Sequence, residues 1–278
     1  VAMVNGRISP RSLQSYLRLR PFLSHVLAEF HFFSMIRAED RDRIIAMGAP
    51  PAKVLVSGNA KYDKILAGIT AGAAQWMRKS LGLPAGAPVV VAGSTREGEE
   101  EMVVDAWERV RRDFPDTVLI IAPRHIERAR AVGGLLERRG HAVRFRTDRS
   151  GSKDGGSANI IVMDTFGELF HTYGTADVVF CGASLVPLGG QNPLEPAAWG
   201  KPILYGPSME DFMDAREMLE AAAGGMTVAD SKVLASEMAR LLGDPDRRRA
   251  MGENARAAVL AHQGAAEKHA RQVAALFH

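Results

Sequence analysis

Apolar residues in this chain gather into short runs with helix-like stretches between them. Val89–Ala92, Thr117–Ala122, Ala142–Arg146, Asn159–Met163, Asp177–Cys181 and Pro202–Tyr205 are compact and rich in aliphatic residues, so each predicts a buried strand. Helices are predicted between and after them, over Glu97–Arg111, Glu127–Arg139, Gly167–Tyr173, Pro193–Trp199, Asp211–Ala223, Ser231–Leu242 and Asp246–His278, the last broken near Gly264. The acids of the first of these helices sit in its first turn, where the macrodipole favours them. Ser150–Ser157 is polar and glycine-rich and predicts a flexible loop. Strands without polar alternation, separated by helices, predict an α/β fold with a parallel sheet covered on both faces.

The front of the chain follows a similar pattern. Val1–Val4 predicts the end of a buried strand. Ser9-Pro10 opens a helix with Ser9 as the capping hydroxyl, and Pro21 breaks it. His31–Ile36 predicts a strand, Glu39–Met47 a helix ended by Gly48, and Lys53–Ser57 another strand. Residues 1–62 therefore form the tail of one α/β domain, and 63–84 a helix and connector. Residues 85–245 form a second Rossmann-like domain, and 246–278 are helices expected to pack back on the first. The first residue is not methionine, so the chain is expected to be the C-terminal portion of a longer protein.

Composition narrows the class. At 278 residues, 46% hydrophobic and 24% charged, the chain is an ordinary packed globular sequence, neither disordered nor collagen-like. Its longest apolar runs fall far short of the ~18 residues that a membrane span needs. One cysteine, Cys181, allows neither an intrachain disulfide nor a cysteine zinc cluster. Charge is uneven: residues 1–62 carry nine Lys/Arg against four Asp/Glu, while the rest carries 26 against 28. Arg7, Arg11, Arg18 and Arg20 precede the first acid, Glu29. This end is expected to meet an anionic partner, a lipid or membrane surface, and no aromatic-interleaved basic cluster points to nucleic acid. Asp40-Arg41-Asp42 and Asp244-Pro245-Asp246 are expected to be solvated, so no metal site is assigned.

In a doubly wound sheet, ligands bind beyond the carboxyl ends of the strands. Four such ends carry unusual residues. Gly93-Ser94-Thr95, followed by Arg96, is either a turn or a phosphate cradle ahead of a helix. Arg124, after Pro123, can grip a phosphate, stack on a base or form a surface ion pair. Gly167, between Phe166 and Glu168, lets backbone approach a ligand closely. Gly189-Gly190-Gln191-Asn192-Pro193-Leu194-Glu195 is the most specific string, with Asn192 at an N-cap, Pro193 at the first helical position and Glu195 aimed back to accept ribose hydroxyls. Neither a Walker nor a Gly-x-Gly-x-x-Gly fingerprint is present.

The strings GSTREGEE, APRH, DTFGELF and CGASLVPLGGQNPLEPAAWGKPILYGP, with the earlier NGRIS, AED and SGNAKYD, resemble the 3-deoxy-D-manno-octulosonic acid (Kdo) transferases of lipopolysaccharide synthesis. The resemblance implies a GT-B fold of two Rossmann-like domains. It implies transfer of Kdo from CMP-Kdo to a lipid A precursor at the cytoplasmic face of the bacterial inner membrane, without metal or cofactor. It carries CMP contacts onto Pro123 and Arg124, onto Phe166, Gly167 and Glu168, and onto Asn192, Pro193, Leu194 and Glu195. Ser94, Thr95, Arg96, Gly190 and Gln191 are further possible donor contacts. Arg96 and Gln191 stand where the family usually has histidine, and Met35-Ile36-Arg37 replaces a more polar stretch, so changed affinity rather than lost function is expected. The general-base glutamate implied by the family precedes Val1, so no catalytic residue is assigned, and the chain alone is expected to bind CMP without turning over. The alternatives are a GT-B enzyme using a UDP-sugar, a glycosyltransferase or epimerase, and a non-catalytic nucleotide-binding module.

Overall fold

The structure is a computed structural model and describes residues 1–148 and 159–277. The elements run β1 (Ala2–Gly6), α1 (Pro10–Arg18), α2 (Arg20–Ala28), β2 (Phe32–Met35), α3 (Ala38–Ala46), β3 (Val54–Val56), α4 (Lys61–Ala67) and α5 (Ala73–Ser80). They continue with β4 (Val89–Thr95), α6 (Glu99–Val110), β5 (Val118–Pro123), α7 (Ala129–Arg138), β6 (Val143–Phe145), β7 (Ile160–Val162), α8 (Leu169–Tyr173), β8 (Val178–Cys181) and α9 (Leu194–Ala198). The last are β9 (Ile203–Tyr205), α10 (Met213–Ala221), β10 (Gly225–Thr227), α11 (Ser231–Gly243), α12 (Pro245–Leu260) and α13 (Ala265–Ala274). The loop expected over Ser150–Ser157 lies outside the described residues.

The chain divides into two compact units, residues 1–68 with 260–278 and residues 69–259. The divisions drawn above at 62/63, 84/85 and 245/246 therefore differ from the compact units. Helix α12 packs with the larger unit, where Gly224 and Gly252 leave no room for a Cβ against Ala255 and the Gly200 carbonyl. Only the last helix joins the smaller unit.

In the smaller unit β1, β2 and β3 form a parallel sheet in that order. Phe33, Met35, Ile44, Met47 and Val54 make its core. Val1–Val4 is not buried as expected: among the described residues β1 lies at the sheet edge, and Val1 and Val4 are exposed. The Ser9 hydroxyl makes no cap bond; the Ser9 carbonyl takes the N–H groups of Ser12 and Leu13 instead. The run breaks just before Pro21, as expected, and a second helix, α2, starts with the proline in its first turn. Asp40 corrects another expectation. It is wholly buried, accepting from the Ile8 N–H at 2.9 Å and from Arg43 at 3.3 Å, because the loop into α1 needs a partner there. Helix α13 closes this unit through a buried polar chain. His269 Nδ1 lies 2.7 Å from Ser34 Oγ, Ser34 lies 2.6 Å from Ser57, and the Gln272 amide donates to Ser57 at 2.9 Å.

In the larger unit, the described strands form one parallel sheet in the order β10-β9-β8-β4-β5-β7-β6. Alternate residues of each strand serve opposite faces. Val90, Ala92, Leu119, Ile121 and Phe180 pack under α6, α7 and α11, with Trp107 and Leu241. Val89, Val91, Ile120, Ile161 and Val179 face Met77, Leu81 and Tyr173 of α5 and α8. Each such side chain, fully buried, contributes roughly 1.5–3 kcal/mol of transfer free energy. The chain winds outward from β4 through β5 to β6 and β7, then returns to β8 on the other side of β4. The topological switch point is therefore the crevice between β4 and β8.

Candidate functional site

A cleft of about 570 Å³ opens beyond the carboxyl ends of β4, β5 and β7. Four stretches distant in sequence line it. Ser94 comes from β4, Pro123 and Arg124 from the end of β5, Phe166 and Gly167 from the loop after β7, and Gln191, Asn192 and Glu195 from the entry to α9. Leu169, Phe170 and Tyr173 of α8 complete its apolar wall.

Arg124 is exposed, and among the described residues no hydrogen bond or ion pair engages its guanidinium. Only its backbone is fixed, the N–H donating to the Thr95 carbonyl at 2.9 Å. Phe166 is 92% exposed, an aromatic face held out beside Gly167, which has φ 85° and nothing within 4 Å of where a Cβ would sit. On the opposite wall, Asn192 Oδ1 accepts the Leu194 N–H at 3.2 Å, and Asn192 Nδ2 donates to Glu195 at 3.3 Å. Pro193 is the N-cap of α9 and not its first helical residue, so Asn192 stands one position ahead of the cap expected for it and reaches Leu194 from there. Burial pushes the Glu195 carboxyl up, opposed by the Asn192 bond. Behind the wall, burial also raises the Tyr173 hydroxyl and the Cys181 thiol. Tyr173 is bonded to Ser94, and Cys181 donates to the Gln191 carbonyl at 3.2 Å. Both are packing groups with their polar atoms satisfied.

The remaining anticipated residues support the cleft without lining it. Pro193 and Leu194 are buried beneath α9. The Glu168 carboxylate is taken by Arg146 at 2.9 and 3.1 Å and by the Thr165 hydroxyl. Burial would raise this carboxyl, but those bonds outweigh it and hold it below the usual range. Gly190, at φ 77°, donates its N–H to the Ala183 carbonyl at 2.8 Å. Thr95 is buried, 3.4 Å from Glu100. Arg96 Nη1 meets His125 Nε2 at 2.6 Å. A guanidinium can only donate, so Nε2 accepts and the ring hydrogen sits on Nδ1.

Gly93-Ser94-Thr95 is neither a turn nor an open cradle. It is the end of β4, bulged at Ser94, which has φ 57°. Gly93 is required there because a Cβ would fall 2.0 Å from the Tyr173 hydroxyl. Acids do stand in the first turn of α6, at Glu99, Glu100 and Glu101, but two of them are not solvated. Glu99 is wholly buried and Glu100 nearly so. Burial raises Glu100 to about 6, despite Arg128 at 3.5 Å. His125 lines the cleft beside Arg124 without having been assigned a role, and Tyr173 was not anticipated there. The PRH string carried a signal for His125; Tyr173 gave none, reaching the site only through α8. Among the described residues no group of three or more His, Cys, Asp or Glu is placed to hold a metal ion.

Residues 1–64 match the family model of 3-deoxy-D-manno-octulosonic-acid transferase (kdotransferase). The chain is 33% identical over 273 residues to the 3-deoxy-D-manno-octulosonic acid transferase of Bordetella pertussis, covering 96% of this chain and 62% of that protein. The Haemophilus influenzae protein of the same description is 28% identical, with the same coverage. A Fusobacterium nucleatum bifunctional glycosyltransferase/methyltransferase is 34% identical over 225 residues, covering 81% of this chain and 34% of that one. The chain thus spans between about a third and three fifths of these relatives. In structure, the larger part resembles the C-terminal CMP-Kdo binding domain of WaaA from Acinetobacter baumannii, with TM-score 0.61, 23% identity and coverage of 70% and 98%. Anabaena HepE in complex with UDP and glucose gives TM-score 0.55 at 16% identity, covering 99% of this chain and 70% of that one. These neighbours show the GT-B type of α/β fold. On its sequence matches, the chain is similar over most of its length to the 3-deoxy-D-manno-octulosonic acid transferases.

Proposed function

We propose that this chain provides the donor-binding part of a glycosyltransferase that moves Kdo from CMP-Kdo to a lipid A precursor. The observation that carries the reading is the convergence of Arg124, Phe166, Gly167, Asn192 and Glu195 on one cleft beyond the strand ends. An unengaged guanidinium suits the phosphate of the nucleotide. The exposed Phe166 ring suits stacking on the base. Glu195, with one hydrogen bond from Asn192, retains capacity to accept ribose hydroxyls. In the transfer, the acceptor hydroxyl attacks the anomeric carbon and CMP departs, its growing charge offset by Arg124. The reaction is proposed to need neither metal nor cofactor.

The acceptor is a lipid, so the protein is proposed to work at the cytoplasmic face of the inner membrane. The smaller unit supplies a fitting surface. Leu19, Phe22 and Val26 are exposed at three- and four-residue spacing along α2, beside the exposed Arg18 and Arg20. Apolar residues rimmed by arginines suit an anionic lipid surface. No described helix is long and apolar enough to cross a membrane.

Calorimetry with CMP, UDP and NAD tests the donor reading. Saturable binding of CMP, with UDP and NAD much weaker, is expected. A preference for UDP would move the assignment to a UDP-sugar enzyme, and a preference for NAD would reject both.

A further inference from the structure

We propose that Glu99 is a built-in anion that fills the backbone nest at the switch point and acts as a positioning residue for the donor cleft. Its carboxylate, wholly buried, accepts four backbone N–H groups. They are Arg96 at 2.8 Å, Ala183, and Ser184 and Leu185 at 3.3 Å each. Three successive N–H groups converging after a strand form the kind of concavity that binds a phosphate or carboxylate. Here the first residue of α6 occupies it, so a nucleotide phosphate is excluded from the switch-point nest and left to the Arg124 side of the cleft.

The clamp joins the two loops that flank the crevice. Ser94, in the bulged end of β4, and Ala183, in the loop after β8, both have φ 57°, a left-handed conformation that is unfavourable for a non-glycine residue. The loops abut so closely that a Cβ on Gly182 would fall 2.6 Å from the Ser94 carbonyl oxygen. Two links run outward from the clamp. Ser94 lines the cleft. The Ala183 carbonyl accepts the Gly190 N–H at 2.8 Å, setting the start of the Gln191–Glu195 wall. Glu99 touches no part of the cleft itself and acts through these two loops.

The inference rests on the donor reading for its effect on CMP, so its experiment has two arms. In the first, CMP affinity is measured by calorimetry for the wild type, Glu99→Gln, Ala183→Gly and the double variant. The amide replaces one acceptor oxygen with a donor facing N–H groups, so Glu99→Gln is expected to bind CMP at least about tenfold more weakly. Ala183→Gly alone should change affinity less than about twofold. In the double variant glycine adopts the left-handed conformation without strain, and most of the affinity should return. Wild-type affinity in Glu99→Gln would overturn the proposal, as would a double variant no better than Glu99→Gln.

In the second arm, thermal unfolding of Glu99→Ala is followed against sodium formate at constant ionic strength with chloride. Formate should refill the nest and raise the Tm of this variant saturably, leaving the wild type unmoved. Equal shifts in both, or none in either, would overturn the nest. Should Glu99→Ala be insoluble, the Glu99→Gln series decides alone. If the wild type binds no CMP, the donor reading fails while the formate arm still reports on the nest.

Discussion

The Arg146 guanidinium holds both carboxylate oxygens of Glu168, at 2.9 and 3.1 Å. Arg146 also donates to Ser80 at 2.6 Å, and Glu168 accepts from Thr165. One pair thereby ties β6's exit, α5 and the Phe166-Gly167 loop together. Arg146→Ala should cost about 1.5–3 kcal/mol, the range for hydrogen bonds to charged groups, read as a lower denaturation midpoint.

The same pair sets a pH dependence. Glu168 is held below the usual carboxylate range, so its stabilisation is complete above that range and is lost as pH falls through the lowered value. Acid unfolding curves of wild type and Glu168→Gln should therefore converge at low pH and separate as pH rises. Curves that stay parallel throughout would contradict this.

Glu100 works the other way. Its carboxyl is raised to about 6, so the folded state holds the proton more tightly than the unfolded chain does. That stabilisation is complete below the ordinary carboxylate value and disappears as pH climbs through about 6. Glu100→Gln should remove the decline, which is on the order of 2 kcal/mol for a shift of this size. Tm measured at intervals across this window for both proteins would reveal it.

Arg124→Ala should weaken CMP binding about tenfold or more and leave Tm nearly unchanged. The exposed guanidinium has no structural partner among the described residues to lose. Calorimetry and thermal unfolding on the same preparation separate the two effects. Unaltered CMP affinity would remove Arg124 from the donor site.

Leu19→Glu with Phe22→Glu should abolish sedimentation with anionic vesicles, and Arg18→Glu with Arg20→Glu should weaken it. Both pairs lie on an exposed face, so CMP affinity should not change. Equal sedimentation of all variants would refute the lipid-facing role.

Much of the larger unit was legible because its strands are buried on both faces. Val89–Ala92 and Val178–Cys181 need only be apolar and short to be recognised. The edges were harder to read. Strand β10, Gly225–Thr227, was missed because three residues with one aliphatic side chain carry no period. The cleft segments were visible through their glycines and prolines, which mark backbone that side chains would block. The partners of Glu99 and Asp40 were not legible for a common reason. An acid near a helix start looks the same whether it meets water or a ring of N–H donors, and only tertiary contact decides which. Gly264 marked the division of α12 from α13, but local pattern could not show that the two helices pack in different units.

The His269–Ser34–Ser57 chain also bears on biosynthesis. Residues 1–68 are translated before the larger unit, whereas the helix that satisfies Ser34 and Ser57 is translated after it. Throughout synthesis of the larger unit, that nascent three-stranded sheet waits without its final partner. Chaperone occupancy and proteolytic vulnerability of chains stalled before α13 should therefore be concentrated on residues 1–68.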